Sequence, residues 1–159
     1  MLEWLTGTLA GKLFSTFFIS MVPFVELRLG LPYGLANGLT FIPAYCAAVI
    51  GNIIPAPLII LYIRKLFAWL RVRSAWFERL VTRLERKGEQ KSEAVDKYGL
   101  YGLVLLVAVP LPGTGAWTGA LVAALLDIRI KRAVPAIFAG LVISGLVVSA
   151  ITLGVVSII

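Results

Sequence analysis

Glu26 and Arg28 are the only charged residues between Lys12 and Arg64, and they stand in the string Pro23-Phe24-Val25-Glu26-Leu27-Arg28-Leu29-Gly30. Charged groups in such apolar surroundings are costly, and are normally paired or turned toward a water-filled cavity. Arg28 offers a planar fork of donors that suits a phosphate or carboxylate. Glu26 could bind a proton or serve as the counter-ion of Arg28. The bland alternative is an interfacial salt bridge, but the apolar sequence on both sides favours a functional site. A second string, Pro110-Leu111-Pro112-Gly113-Thr114-Gly115-Ala116-Trp117-Thr118, could present backbone amides to a ligand. Its glycines allow close approach, and a helix starting near Thr114 would aim its positive end inward. Against this stands a plain packed turn, and Trp117 taken alone reads more readily as packing than as a ligand.

Other polar residues carry weaker signals. Asn37 and Asn52 lie inside apolar runs, where interhelical hydrogen bonding is the safer reading and substrate contact the sharper one. Gly30, Gly34 and Gly38 place small residues four apart on one helix face, which suits close helix packing within or between protomers. The stretch Gly7–Lys12 lacks the spacing of a phosphate-binding loop. The chain has no histidine, which excludes histidine triads, histidine metal sites and a histidine proton switch. No nucleophile–base pair or metal cluster is visible, so neither a catalytic residue nor a metal or other cofactor is expected, and the chain does not read as an enzyme. Its single cysteine, Cys46, can form no intrachain disulfide.

The elements that must hold these residues are set by where the charges fall. Charge-free runs cover 13–25, 29–63, 98–126 and 133–159 of the 159 residues, and 60% of the chain is hydrophobic. A membrane-spanning helix needs about 20 apolar residues, so three of the four runs are long enough. The reading is an integral, multi-pass protein of the cell membrane, with membrane lipids as its surroundings. The net charge of +7 would suit nucleic acid, but the bases cluster in 64–97 and at Arg129, Lys131 and Arg132, beside the apolar runs. Positive-inside bias explains them, and no nucleic-acid partner is expected.

Run 29–63 would be about 52 Å long as one helix, against a hydrocarbon core of about 30 Å. It must therefore break, and Pro43 is the predicted place. Residues 13–42 then form a re-entrant hairpin with its elbow at Pro23–Gly30, and 43–63 a full span. Run 98–126 repeats the design, since two prolines and two glycines at 110–115 break a helix. It reads as a second hairpin, followed by a span over 133–159. Pro43 and Pro135, each followed by alanine, open the two spans, with Gly51 and Gly140 in the turns beyond. If 98–126 crossed the bilayer, the two basic clusters would lie on opposite faces; as a hairpin it keeps both on the cytoplasmic side. The predicted fold is thus all-α and membrane-embedded: two inverted repeats, each a re-entrant helical hairpin followed by a transmembrane helix, joined by a basic amphipathic helix over 64–97. That linker carries Leu66, Trp69, Leu70, Trp76, Phe77, Leu80, Val81 and Leu84 at helical spacing, a face fit either for an anionic leaflet or for packing on its own protein. So little protein per chain to shield two elbows predicts a homo-oligomer, a dimer, with the glycine faces among its contacts.

The strings PFVELRLGLPYG and AVPLPGTGAWTGALVAALL resemble the two signatures of the small multidrug export protein family of bacteria and archaea. They stand in the family's order, with Leu29 in place of the glycine expected beside Arg28. The resemblance implies membership of the wider DedA (SNARE-associated, VTT-like) superfamily, with two facing re-entrant loops. It also implies movement of polyprenyl phosphates or phospholipids, with protons as a suspected coupling partner. By the family pattern the site residues are Glu26, Arg28, Pro32, Pro110, Pro112, Gly113, Thr114, Gly115 and Trp117. The expected function is a secondary transporter or flippase for a small anionic amphiphile, such as a lipid phosphate. The alternatives are export of cationic compounds, or a non-transporting scaffold that organises lipid.

Overall fold

The computed structural model describes residues 7–73, 75–111 and 113–156, and among them every regular element is helical. In chain order these are α1 (Leu9–Met21), α2 (Glu26–Ala36), α3 (Phe41–Ile53), α4 (Pro55–Arg73), α5 (Ala75–Tyr98), α6 (Leu100–Ala108), α7 (Ala116–Leu125) and α8 (Ile130–Val156). Two stretches are long and apolar enough to cross a membrane: α3 running into α4, Phe41–Arg73, and α8 through Gly154. Only 33% and 39% of their most apolar windows are buried within the protein. A soluble protein's core helix would show the reverse, and the outward faces carry Ile42, Ile50, Leu58, Leu61, Phe138, Leu146 and Ile151.

The four short helices stop after 13, 11, 9 and 10 residues, which is about 20 Å or less each. They form two pairs, α1 with α2 and α6 with α7, each joined near an elbow that the sequence predicts, although the first is confined to residues 22–25 because α2 already begins at Glu26. At the first elbow Phe24 and Glu26 take left-handed backbone, with φ of 71° and 49°. That conformation costs a non-glycine residue about 1–2 kcal/mol, so surrounding contacts must hold it. At the second elbow Gly113 and Gly115 take positive φ, which glycine adopts freely.

The breaks after α2 and α7 are alike. Each ends in a left-handed residue, Gly38 or Asp127, with paired closing bonds: Gly38 N–H to Leu35 O and Leu39 N–H to Gly34 O, then Asp127 N–H to Ala124 O and Ile128 N–H to Ala123 O. This is the Schellman stop. Pro43 is therefore not the break; it is the third residue of α3, where a missing N–H has no intrahelical partner to lose. Pro135 lies deeper, at the sixth position of α8, so the two prolines do not correspond. What does correspond, at one sequence separation, is Gly30 with Gly119, Gly38 with Asp127, Phe41 with Ile130, and Gly51 with Gly140.

The matching glycines make matching contacts. A Cβ on Gly51 would lie 2.3 Å from Phe17 O of α1, and one on Gly140 would lie 2.8 Å from Val104 O of α6. Each long helix thus presses against the first arm of its own hairpin. Each also reaches the other half: α4 lies along α7, and α8 packs on α2 and α3, where a Cβ on Gly145 would meet Tyr45 and Leu27. Two apolar cores result. One is built on Leu27, Leu31, Ala44, Ala48 and Val148, the other on Leu103, Val107, Ala120, Ile137 and Leu141.

Two expectations resolve in favour of packing. Gly30 and Gly34 face Ser20 and Thr16 of α1, so their small-residue face is used inside the chain. The linker packs on its own protein. Residues 64–73 continue α4, and α5 folds back against α4, α6 and α7, burying Val81 while Trp69 and Trp76 stay exposed.

Candidate functional site

The two elbows meet. Arg28, in the first turn of α2, extends Nη2 to the second elbow and donates to Thr114 O at 2.6 Å and to Thr114 Oγ1 at 2.9 Å. The Thr114 hydroxyl is itself fixed, accepting from Leu111 N–H at 3.2 Å and lying 2.7 Å from Val109 O. In the opposite direction Trp117 donates its backbone N–H to Glu26 Oε1 at 3.3 Å and its indole N–H to Met21 O at 3.2 Å. Glu26 and Arg28 form no ion pair with each other among the described residues. Each instead reaches across to the other hairpin.

Glu26 is 6% exposed. Its carboxyl lies over the start of α7, where the free amides of a helix N-terminus favour negative charge. Gly115 makes this possible, because a Cβ there would stand 1.9 Å from Glu26 Oε2. The sequence suggested that these amides would receive a ligand; in the structure they receive Glu26. Pro32 shapes the same helix differently: its missing N–H leaves the Arg28 carbonyl without its usual helical partner.

Beside the elbows opens a cleft of about 590 Å³, lined by Pro23, Phe24, Glu26, Arg28, Gly113, Thr114, Trp117 and Thr118. Its long walls are apolar, with Ile59, Ile63 and Phe67 from α4, Leu84 from α5 and Leu121 from α7. Lys87 and Gln90 of α5 add polar groups to the lining. Apolar walls that also carry Glu26, Arg28 and Lys87 can hold a molecule with a polar head and a hydrocarbon body.

Of the residues expected from the sequence, Glu26, Arg28, Gly113, Thr114 and Trp117 line this one cleft, and Gly115 abuts Glu26. Pro32 lies within α2 and Pro110 in the elbow, neither on the cleft wall. Pro112 lies outside the described residues. Three further residues escaped the sequence reading as site residues. Lys87 and Gln90 were submerged in the basic face of the linker, with nothing local to single them out. Asn52 reads from the sequence more safely as packing than as a substrate contact, and its signal is a lone amide in an apolar run. It is 1% exposed and stands beside the Glu26 carboxyl.

The family described as "Putative small multi-drug export protein" matches residues 26–147, from Glu26 through the second elbow and well into α8. No curated protein and no solved structure matches the chain.

Proposed function

The chain belongs to the small multi-drug export protein family, and from that premise we propose that it is a membrane transporter for an anionic amphiphile. The reading is that of two inverted repeats whose re-entrant hairpins enter from opposite faces and meet at mid-depth. The corresponding Schellman stops and the Gly51 and Gly140 contacts support it. Irregular backbone at that depth is tolerated where it is buried in protein or lines a cavity, and Pro23, Phe24, Gly113 and Thr114 of the elbows line the cleft.

One observation carries the choice of substrate. Three charged groups line the cleft: Glu26, Arg28 and Lys87. The Glu26 carboxylate already accepts from α7, which leaves two cations facing an apolar-walled space. A phosphate or carboxylate head would sit on the unused edge of the Arg28 guanidinium. The tail would lie along Ile59, Ile63 and Phe67 and could remain in lipid. The head would then cross as the elbows part and close again, with Glu26 taking up a proton when it leaves α7. The family's description favours a second reading, export of cationic drugs, for which Glu26 is the one acidic residue on the cleft wall among the described residues.

The two readings separate in proteoliposomes loaded with either a labelled polyprenyl phosphate or a lipophilic cation. Translocation of the phosphate is expected, and Arg28→Lys should reduce it at least tenfold, because an ammonium keeps the charge but loses the planar fork. Movement of the cation alone, unaffected by Arg28→Lys, would overturn the anionic reading in favour of drug export.

A further inference from the structure

Among the described residues, Asn52 is the one whose buried side-chain atoms form no hydrogen bond of normal geometry: Nδ2 lies within reach of the Glu26 carboxylate, Oδ1 has no donor, and the residue is 1% exposed. A buried amide left unpaired is expensive, and such groups in native proteins call for an explanation. Packing does not supply one. The position that corresponds to Asn52 in the second half is Leu141, also 1% exposed, so the fold accepts a leucine of similar size at this place in a long helix.

The neighbour of Asn52 supplies a chemical reason. The N-terminus of α7 offers Glu26 donors only, which suits an ionised carboxylate that can only accept. A neutral carboxylic acid has one O–H donor and one carbonyl acceptor. A primary amide presents the complement, so acid and amide can join by two parallel hydrogen bonds, O–H to Oδ1 and Nδ2–H to the carboxyl oxygen. Both polar atoms of the Asn52 side chain are then satisfied. An ionised Glu26 would satisfy only Nδ2.

We propose that Asn52 is the partner of Glu26 in its protonated form, and that the pair is a proton-operated latch between the two halves. Glu26 on α2 and Asn52 on α3 belong to the same half, whereas α7 belongs to the other. In the ionised state Glu26 ties the halves together through Trp117. When it takes up one proton from water in the cleft, the negative charge disappears and the attraction of the α7 N-terminus weakens. The carboxyl then turns to Asn52 within its own half. Releasing the same proton to water reverses the exchange. The charged groups around Glu26 are Arg28 on its own helix and Lys87 of α5 in the cleft lining. Helix α7 has no ionisable side chain, and α3 contributes Tyr45 and Cys46. Helix α1 carries only Lys12, beside Gly38 at the far end, and α8 only Lys131 and Arg132 in its first turn. From α4, apolar Ile59, Ile63 and Phe67 face the cleft.

The latch rests on the reading of the elbows as the moving part of a transporter, and it is tested separately from substrate. Trp117 contacts both Glu26 and Met21 across the elbows and reports their separation. In full-length protein in lipid nanodiscs, with Trp4, Trp69 and Trp76 changed to Phe, the emission of Trp117 is followed between about pH 4 and 9. A single sigmoidal change is expected. In Asn52→Leu the neutral acid loses its partner, so the midpoint should fall by about one pH unit or more, a roughly tenfold loss of proton affinity. Glu26→Gln carries an amide that pairs with Asn52 as the neutral acid would, and its emission should stay at the low-pH value throughout; this arm does not depend on whether the leucine variant folds. An unchanged midpoint in Asn52→Leu, or high-pH emission in Glu26→Gln, overturns the pairing alone. A wild-type protein with no pH response overturns the latch together with the proton-linked step of transport. Failure of phosphate translocation with the expected fluorescence would leave the latch standing and remove only the substrate.

Discussion

At the scale of single residues, the site depends on how closely two backbones approach. Glu26 reaches the amides of α7 only because residue 115 has no side chain, and the same residue holds a φ of 137°. Gly115→Ala should therefore push the carboxyl off α7 and strain the elbow together. Transport is expected to fall at least tenfold, with a stability loss of about 1–3 kcal/mol. Gly99→Ala separates the two effects, since Gly99 has a positive φ but a Cβ there would meet nothing within 4 Å. It should lose some stability and keep transport within about twofold, as backbone strain alone is a local cost. Flux in proteoliposomes beside thermal unfolding checks both, and equal loss of flux in the two variants would show that the Glu26 contact is not what matters.

At the scale of elements, each hairpin is held by a long helix that lies almost backbone to backbone against its first arm. The contact at Gly51 is with a carbonyl, which cannot turn aside as a side chain would; at Gly140 the obstacles are Val104 O and the Val107 side chain. Alanine at either place should destabilise the protein by about 1–3 kcal/mol, as overpacking does, with Gly51 the more sensitive. Gly154→Ala, near the end of α8 with nothing within 4 Å of its Cβ, should be neutral or slightly stabilising through helix propensity. Thermal unfolding in mild detergent decides this. If all three variants melt together, the close approach of helix and hairpin is not supporting the fold.

At the scale of the whole molecule, the inverted-repeat reading makes a statement about sides. Helix α5 precedes the second hairpin and Lys131 follows it, so a hairpin that returns to its own face leaves both basic clusters on one side of the membrane. Single cysteines near Lys91 and Lys131, in a background where the exposed Cys46 is replaced, should be labelled by an impermeant reagent from the cytoplasmic face only. Labelling from opposite faces would mean that α6 and α7 together cross the bilayer, and the inverted repeat would fall. A dimer, if the protein forms one, must use surfaces other than the Gly30 and Gly34 face, which α1 already fills.

The sequence by itself determined the helical class, the two long apolar helices, the four half-length arms and the places of both elbows. These follow from local properties, namely how far a charge-free run extends and where proline and glycine interrupt it. It also singled out Glu26, Arg28 and Thr114, because a charge or a broken helix in apolar sequence is conspicuous without any partner in view. Only the tertiary structure decided what those residues touch. Arg28 meets Thr114 and Glu26 meets Trp117 across separations of 86 and 91 residues, and no local pattern records such a pairing. The same holds for Lys87, Gln90 and Asn52, each an ordinary residue on its own helix and brought to the candidate site once α5 folds back and α3 packs on α2. Pro43 shows the converse. Its residue type announced a break, but a proline in the first turn of a helix costs no hydrogen bond, and the break fell instead at Gly38, where a left-handed residue closed α2.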